Sequence, residues 1–210
     1  MKKSIRPAAD RRALLAGGAA LLAGAIATRD AAAQSATPGP EYAVFTEFSP
    51  DSKPMKAGFN TRVFTDTDVR KGNAIQCDFA TGVITLAPGL YHITGMSMAP
   101  YFSTNEPAEM TTIRAPASAG YCRLRTYDPN FVVPAGMRGI ENSDPSIICV
   151  GSSASANLTP SLIDTYYEPA RTTQIILEHQ SGSNPSQIYL RVYVENSKWH
   201  VMARLSIRRI

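Results

Sequence analysis

Period-two alternation of apolar and polar residues, cut at intervals by Pro and Gly, is the feature that most narrows what this chain can fold into. It is clearest at the C-terminus. Trp199, Val201, Ala203, Leu205 and Ile207 alternate with His200, Met202, Arg204, Ser206 and Arg208. Just before them, Ile188, Leu190, Val192 and Val194 alternate with Tyr189, Arg191 and Tyr193. Successive side chains of a strand point to opposite faces, so each run predicts a strand with one face buried. The polar stretch Glu195-Asn196-Ser197-Lys198 between them predicts a hairpin.

Shorter runs predict further strands at 42–48, 61–65, 74–79, 82–86, 90–98, 121–127, 146–150 and 173–179. Pro50, Pro54, Pro88-Gly89, Pro100, Pro134, Pro145, Pro160 and Pro169 punctuate them, at a density that opposes helices. About ten short antiparallel strands without an amphipathic helix imply an all-β jelly-roll β-sandwich. Residues 103–120 and 129–145 then read as long surface loops, where recognition on such a scaffold usually sits.

The first 33 residues differ in kind. Lys2, Lys3, Arg6, Arg11 and Arg12 precede a mild apolar run, Ala13 to Thr28, and Ala31-Ala32-Ala33 has the small residues that a signal peptidase reads. The run is too short and too rich in Ala and Gly to span a membrane. Arg11-Arg12 stands where the twin-arginine export route reads its signal, with Leu14 in the place of the consensus Phe. A chance Arg pair in an ordinary secretion signal is the other reading, and both place the protein outside a bacterial cytoplasm, periplasmic or secreted. Residues 34–40 read as a short linker and 41–210 as the jelly-roll domain, with no stable membrane span once the leader is gone.

The leader also carries the chain's charge. The sequence has 21 Lys+Arg and 17 Asp+Glu; the leader holds six and two of these, so 15 of each remain. Attraction to nucleic acid needs a clear positive excess, so no nucleic-acid partner is expected.

Little in the sequence points to chemistry. Beyond the leader stand three His (His92, His179 and His200) and no His-x-His; Glu178-His179 is a weak pair, so no metal and no cofactor are expected. Asp66-Thr67-Asp68 reads as an exposed acidic turn rather than a calcium loop. Gly151-Ser152-Ser153-Ala154-Ser155 lacks the nucleophile-elbow pattern. Cys77, Cys122 and Cys149 have no metal spacing; Cys77 reads as a small apolar residue, and a Cys122–Cys149 bridge is one option for the others.

One segment suggests relatives. Asp78, Thr81 and Gly82, then Pro88-Gly89, then Tyr91 and Ile93, match in type and order the globular head of the complement first component's q subunit, of the tumour necrosis factor superfamily. Gly58-Phe59-Asn60 and the Trp199 hairpin also stand in family-like places. The spacing from Gly82 to Gly89 is one residue short, Ile84 and Ile93 replace aromatics, and no collagen-like stalk is present. The resemblance implies a bacterial exported member of that superfamily, a homotrimer, with Thr81, Gly82, Pro88, Gly89, Tyr91 and Trp199 in structural roles.

Two stripes are candidate binding faces: Tyr121, Arg123, Arg125 and Tyr127 on one strand, and Tyr189, Arg191 and Tyr193 on another. Tyr and Arg are enriched at binding hot spots, so the stripes read as a subunit interface, a ligand site or a solvated strand face. The expected function is a non-enzymatic binding or structural module that recognises a glycan or an envelope protein through its loops. The alternative is a carbohydrate-active or cupin-like enzyme, which a carboxylate pair or His cluster facing one cavity would favour.

Overall fold

The computed structural model describes residues 39–100, 120–130, 144–154, 159–180, 188–192 and 200–210. All described elements lie in the compact unit Pro40–Ile210. The leader with Arg11 and Arg12, residues 103–119 and 131–143 of the two loops, Tyr193 and Trp199 lie outside the described residues.

Among the described residues there are strands and no helix: β1 (Tyr42–Phe48), β2 (Lys53–Pro54), β3 (Asn60–Thr61), β4 (Asp66–Lys71), β5 (Ile75–Asp78), β6 (Val83–Leu86), β7 (Tyr91–Ser97), β8 (Tyr121–Thr126), β9 (Ile147–Val150), β10 (Ser161–Tyr167), β11 (Thr173–Gln180), β12 (Tyr189–Arg191) and β13 (Val201–Arg209). One sheet has the order β10-β7-β13-β1-β4; the other runs β5-β6-β11-β8-β9, with β3 also on β11. Every pairing is antiparallel. The chain passes repeatedly from one sheet to the other, and that order makes the fold a jelly-roll β-sandwich.

Inward residues of both sheets meet in one core. Ala43 and Phe45 of β1, Ile93 of β7, and Leu205 and Ile207 of β13 face Ile84 and Leu86 of β6, Leu124 of β8, and Ile175 and Leu177 of β11, all buried. Each such large side chain contributes roughly 1.5–3 kcal/mol through its burial. The family-like segment supplies the turns. Asp78 accepts from the Ala80 N–H and the Thr81 hydroxyl (2.9 and 2.6 Å), and its carbonyl accepts from the Gly82 N–H at 2.8 Å. Gly82 takes φ +76°, open to glycine at little cost. Arg209 donates to the Pro88 carbonyl at 2.7 Å, and the buried Tyr91 donates its hydroxyl to the Ala87 carbonyl at 2.8 Å.

The structure corrects four expectations. The terminal runs form no hairpin: β13 is flanked by β7 and β1, and β12 pairs with β2. Residues 62–65 are a crossing, not a strand, since Arg62 N–H bonds Leu177 O in one sheet and Thr65 N–H bonds Thr46 O in the other (2.8 and 2.9 Å). Asp66-Thr67-Asp68 is no turn but opens the exposed edge strand β4. Cys122 and Cys149 are not bridged; all three cysteines are free, and burial pushes the Cys77 thiol up to about 12. Three strands, β2, β4 and β10, have no counterpart among the runs that the sequence pattern predicts.

Candidate functional site

β11 runs through the second sheet from a solvent-facing groove at its start, Thr173 and Gln174, to a buried polar cluster at His179. The period of two sends its last polar residues to opposite faces: Glu178 outward, His179 inward.

Outward, Glu178 lies opposite Arg123 in register and binds both arginines of the first Tyr/Arg stripe. Arg123 Nε donates to Oε2 and Arg125 Nη2 to Oε1, each at 2.9 Å. The Arg123 guanidinium lies 3.5 Å from the centroid of the Phe59 ring, and Phe59 meets Tyr121 edge-on at 5.6 Å. Arg123 is 1 % exposed and Arg125 6 %. The readings that needed them on an open face, a solvated surface or a ligand site, are therefore corrected: these arginines are internal, paired charges. Phe59 and Glu178 come from distant segments, which no pattern within β8 announces.

Inward, Arg62 is fully buried and donates to Ser97 Oγ (2.8 Å), Glu47 Oε2 (3.2 Å) and the Leu190 carbonyl (2.5 Å). Ser97 Oγ also bonds His179 Nδ1 at 2.7 Å. Burial, reinforced by the Arg62 charge, pushes His179 down to about 2, so the imidazole is neutral. Burial pushes the Glu47 carboxyl up, against the pull of Arg62 and Arg191. Arg191 of the second stripe spans Glu47 at 3.4 Å and Asp51 at 2.5 Å, while Tyr189 pairs with Pro54 in the small ribbon. The Ser97–His179 pair is no hydrolytic site, because neither side chain meets solvent and Arg62 already occupies the hydroxyl.

At the opposite end of β11 the groove has a volume of about 1150 Å³. The end of β8, the β10–β11 connection and Thr85 of β6 line it, with Tyr127, Asp128, Tyr167, Glu168, Arg171 and Gln174 as its larger side chains. Backbone bonds fix its walls: Tyr127 N–H to Gln174 O at 2.7 Å and Gly89 N–H to Pro169 O at 3.2 Å. Asp128 turns the chain by accepting the Asn130 N–H at 2.8 Å. Tyr127, at the far end of the first stripe, is the one member of that stripe that reaches the groove.

A further surface lies on the outward side of the first sheet. On edge strand β10, Leu162 is 55 % and Tyr166 64 % exposed. The Tyr166 ring stacks on His92 of β7 at 4.8 Å, and His92 Nε2 bonds Asp164 Oδ1 at 2.7 Å. The same cross-strand rows place Val44 beside Val69, itself 43 % exposed.

No protein-family model and no curated protein matches the sequence. Among solved structures, murine APRIL at pH 8.0 is similar over 81 % of this chain and 99 % of its own, with 6 % identity and a TM-score of 0.48. The globular domain of zebrafish complement 1qA protein is similar over 80 % of this chain and 93 % of its own, at 12 % identity and TM-score 0.38. The vertex protein P5 of PRD1 is similar over 81 % and 96 %, at 12 % identity and TM-score 0.42. The jelly-roll assignment rests on the strand order itself.

Proposed function

We propose that this is an exported, non-enzymatic module that assembles as a homotrimer and recognises a surface ligand, a glycan or a protein, through one end of its sandwich. The observation that carries self-association is the exposed band on β10 and β7, with Leu162 and Tyr166 more than half exposed and His92 stacked beneath. A large apolar side chain left in water on an edge strand is a liability that an assembled partner removes. Recognition on a trimer gains by avidity, since three weak contacts on one rigid body act together. Export rests on the leader, with Arg11 and Arg12 as its signal. No described helix is long and apolar enough to cross a membrane.

One observation favours the enzyme alternative: Asp128 and Glu168 line the same groove. Both are exposed, and one oxygen of Asp128 is engaged by the Asn130 N–H. The acid of a glycoside-cleaving carboxyl pair sits in a partly desolvated, apolar environment, and these two exposed side chains do not. For the cupin-like form, no cluster of three His, Cys, Asp or Glu that could hold a metal occurs among the described residues.

The test is to place a charge in the band. Leu162→Glu and Tyr166→Glu alter outward side chains and leave the core intact, so both are expected to dissociate the assembly while the circular dichroism of the fold persists. An assembly mass unchanged by either substitution refutes the assigned face.

A further inference from the structure

We infer that the groove between the end of β8 and the β10–β11 connection binds an uncharged oligosaccharide, one site per chain. This deepens the recognition part of the proposed function and does not depend on the assembly part.

At about 1150 Å³ the groove slightly exceeds the roughly 300–1,000 Å³ that hold a drug-sized ligand. It therefore has room for several linked rings rather than one small molecule. Its lining then removes other ligand classes. An acyl chain or apolar ligand wants a continuous apolar floor, whereas Thr85, Thr126, Thr172, Thr173 and Gln174 put hydroxyls and an amide along this one. A phosphate-rich or nucleic-acid ligand wants an excess of cations, whereas Arg171 stands against two carboxylates, Asp128 and Glu168.

What remains suits a polyhydroxylated chain. A sugar hydroxyl both donates and accepts. The groove offers pure acceptors (Asp128, Glu168), a pure donor (Arg171) and groups that do both (Thr85, Thr172 and Gln174), while Thr126 and Thr173, whose hydroxyls donate to the Ser146 and Arg171 carbonyls, add acceptors. Tyr127 and Tyr167 add amphipathic rings, half-buried and so held by packing, that can cover the apolar face of a sugar ring while each hydroxyl bonds its edge. The walls are preorganised: Tyr127 is tied to Gln174 and Pro169 to Gly89 through the backbone, so little ordering is left for binding to bear.

The purified full chain is titrated calorimetrically with three hexaoses: β-1,4-glucose, α-1,4-glucose and β-1,4-N-acetylglucosamine, with hexametaphosphate as a polyanion control. Saturable binding of at least one hexaose, one per chain, is expected, with no binding of the polyanion. Tyr127→Ala is expected to weaken it by at least about tenfold, the loss of ~1.4 kcal/mol. Tyr127 is half-buried, so Glu168→Gln and Arg171→Ala, which change exposed side chains only, carry the same test without risk to the fold. Absence of saturable binding by all three hexaoses, affinity unchanged in all three variants, or tighter binding of hexametaphosphate overturns the inference. So does release of new reducing ends that disappears in Glu168→Gln, which shows cleavage in place of binding. A trimer that binds no hexaose refutes the groove alone; a monomer that binds one refutes the assembly alone.

Discussion

Gly82→Ala and Gly58→Ala make a matched pair. Both glycines have left-handed backbones, φ +76° and +81°. Holding an L-residue there costs about 1–2 kcal/mol. Around Gly58 a new Cβ meets nothing within 4 Å, so that backbone cost is the whole effect. At Gly82 the Cβ is driven into the Arg62 carbonyl oxygen, with the carbonyl carbon at 3.0 Å and Val63 Cα at 3.2 Å. These are backbone atoms that no rotamer change relieves. Yielding moves Arg62, whose N–H bonds Leu177 O at 2.8 Å and whose side chain holds Ser97, Glu47 and Leu190. Adding the steric shift to the backbone cost, Gly82→Ala should lose about 3–5 kcal/mol and Gly58→Ala about 1–2 kcal/mol. Urea unfolding at one fixed protein concentration reads both as midpoint shifts. Equal losses within about 0.5 kcal/mol would refute the argument that the Asp78–Thr81–Gly82 turn needs its glycine for space as well as for conformation.

Other outcomes follow from the buried charges and thiols. His179 is pushed down to about 2 in the fold, below its ordinary value of 6.5, so the unfolded chain binds the extra proton between those limits. Its contribution is complete above pH 6.5 and is lost as pH falls, at up to about 1.4 kcal/mol per pH unit. His179→Asn should flatten unfolding free energy between pH 6.5 and 4.5, and an unchanged slope contradicts the buried neutral imidazole. Glu178→Ala strips the shared carboxylate from Arg123 and Arg125 and should cost about 3–5 kcal/mol in urea unfolding. A loss under about 1 kcal/mol would mean that water reaches those guanidiniums. Alkylation of the denatured, unreduced protein should modify three thiols, whereas native Cys77 should resist at pH 8, its thiol being pushed up to about 12. Modification of one thiol only would show a bridge.

The legible part of the fold was the part with one wet face. β13 alternates cleanly, Leu205 and Ile207 in, Arg204 and Arg208 out, and the periodicity shows it directly. β10 is hidden in the sequence because Leu162 and Tyr166 place apolar side chains on its outer face, so Ser161–Tyr167 does not read as half-buried. β4 lacks the pattern for the opposite reason: nearly every residue of Asp66–Lys71 is exposed on a sheet edge. Adjacency in sequence suggests a hairpin between β12 and β13, but the centre of a sheet leaves β13 no free edge. Arginine is normally a surface residue, and only the register that sets Arg123 opposite Glu178 reveals it as internal. The groove is assembled from β6, β8 and the β10–β11 connection, segments about 40 residues apart, and one strand at a time gives no sign of it.

The mass of the purified protein in solution, measured by light scattering on a sizing column, bears most directly on the central proposal. A stable species of three chains is expected, unchanged on dilution through the micromolar range and lost in Leu162→Glu. A single-chain mass at every concentration would contradict it, leaving the band on β10 and β7 without its partner and removing avidity from the mechanism.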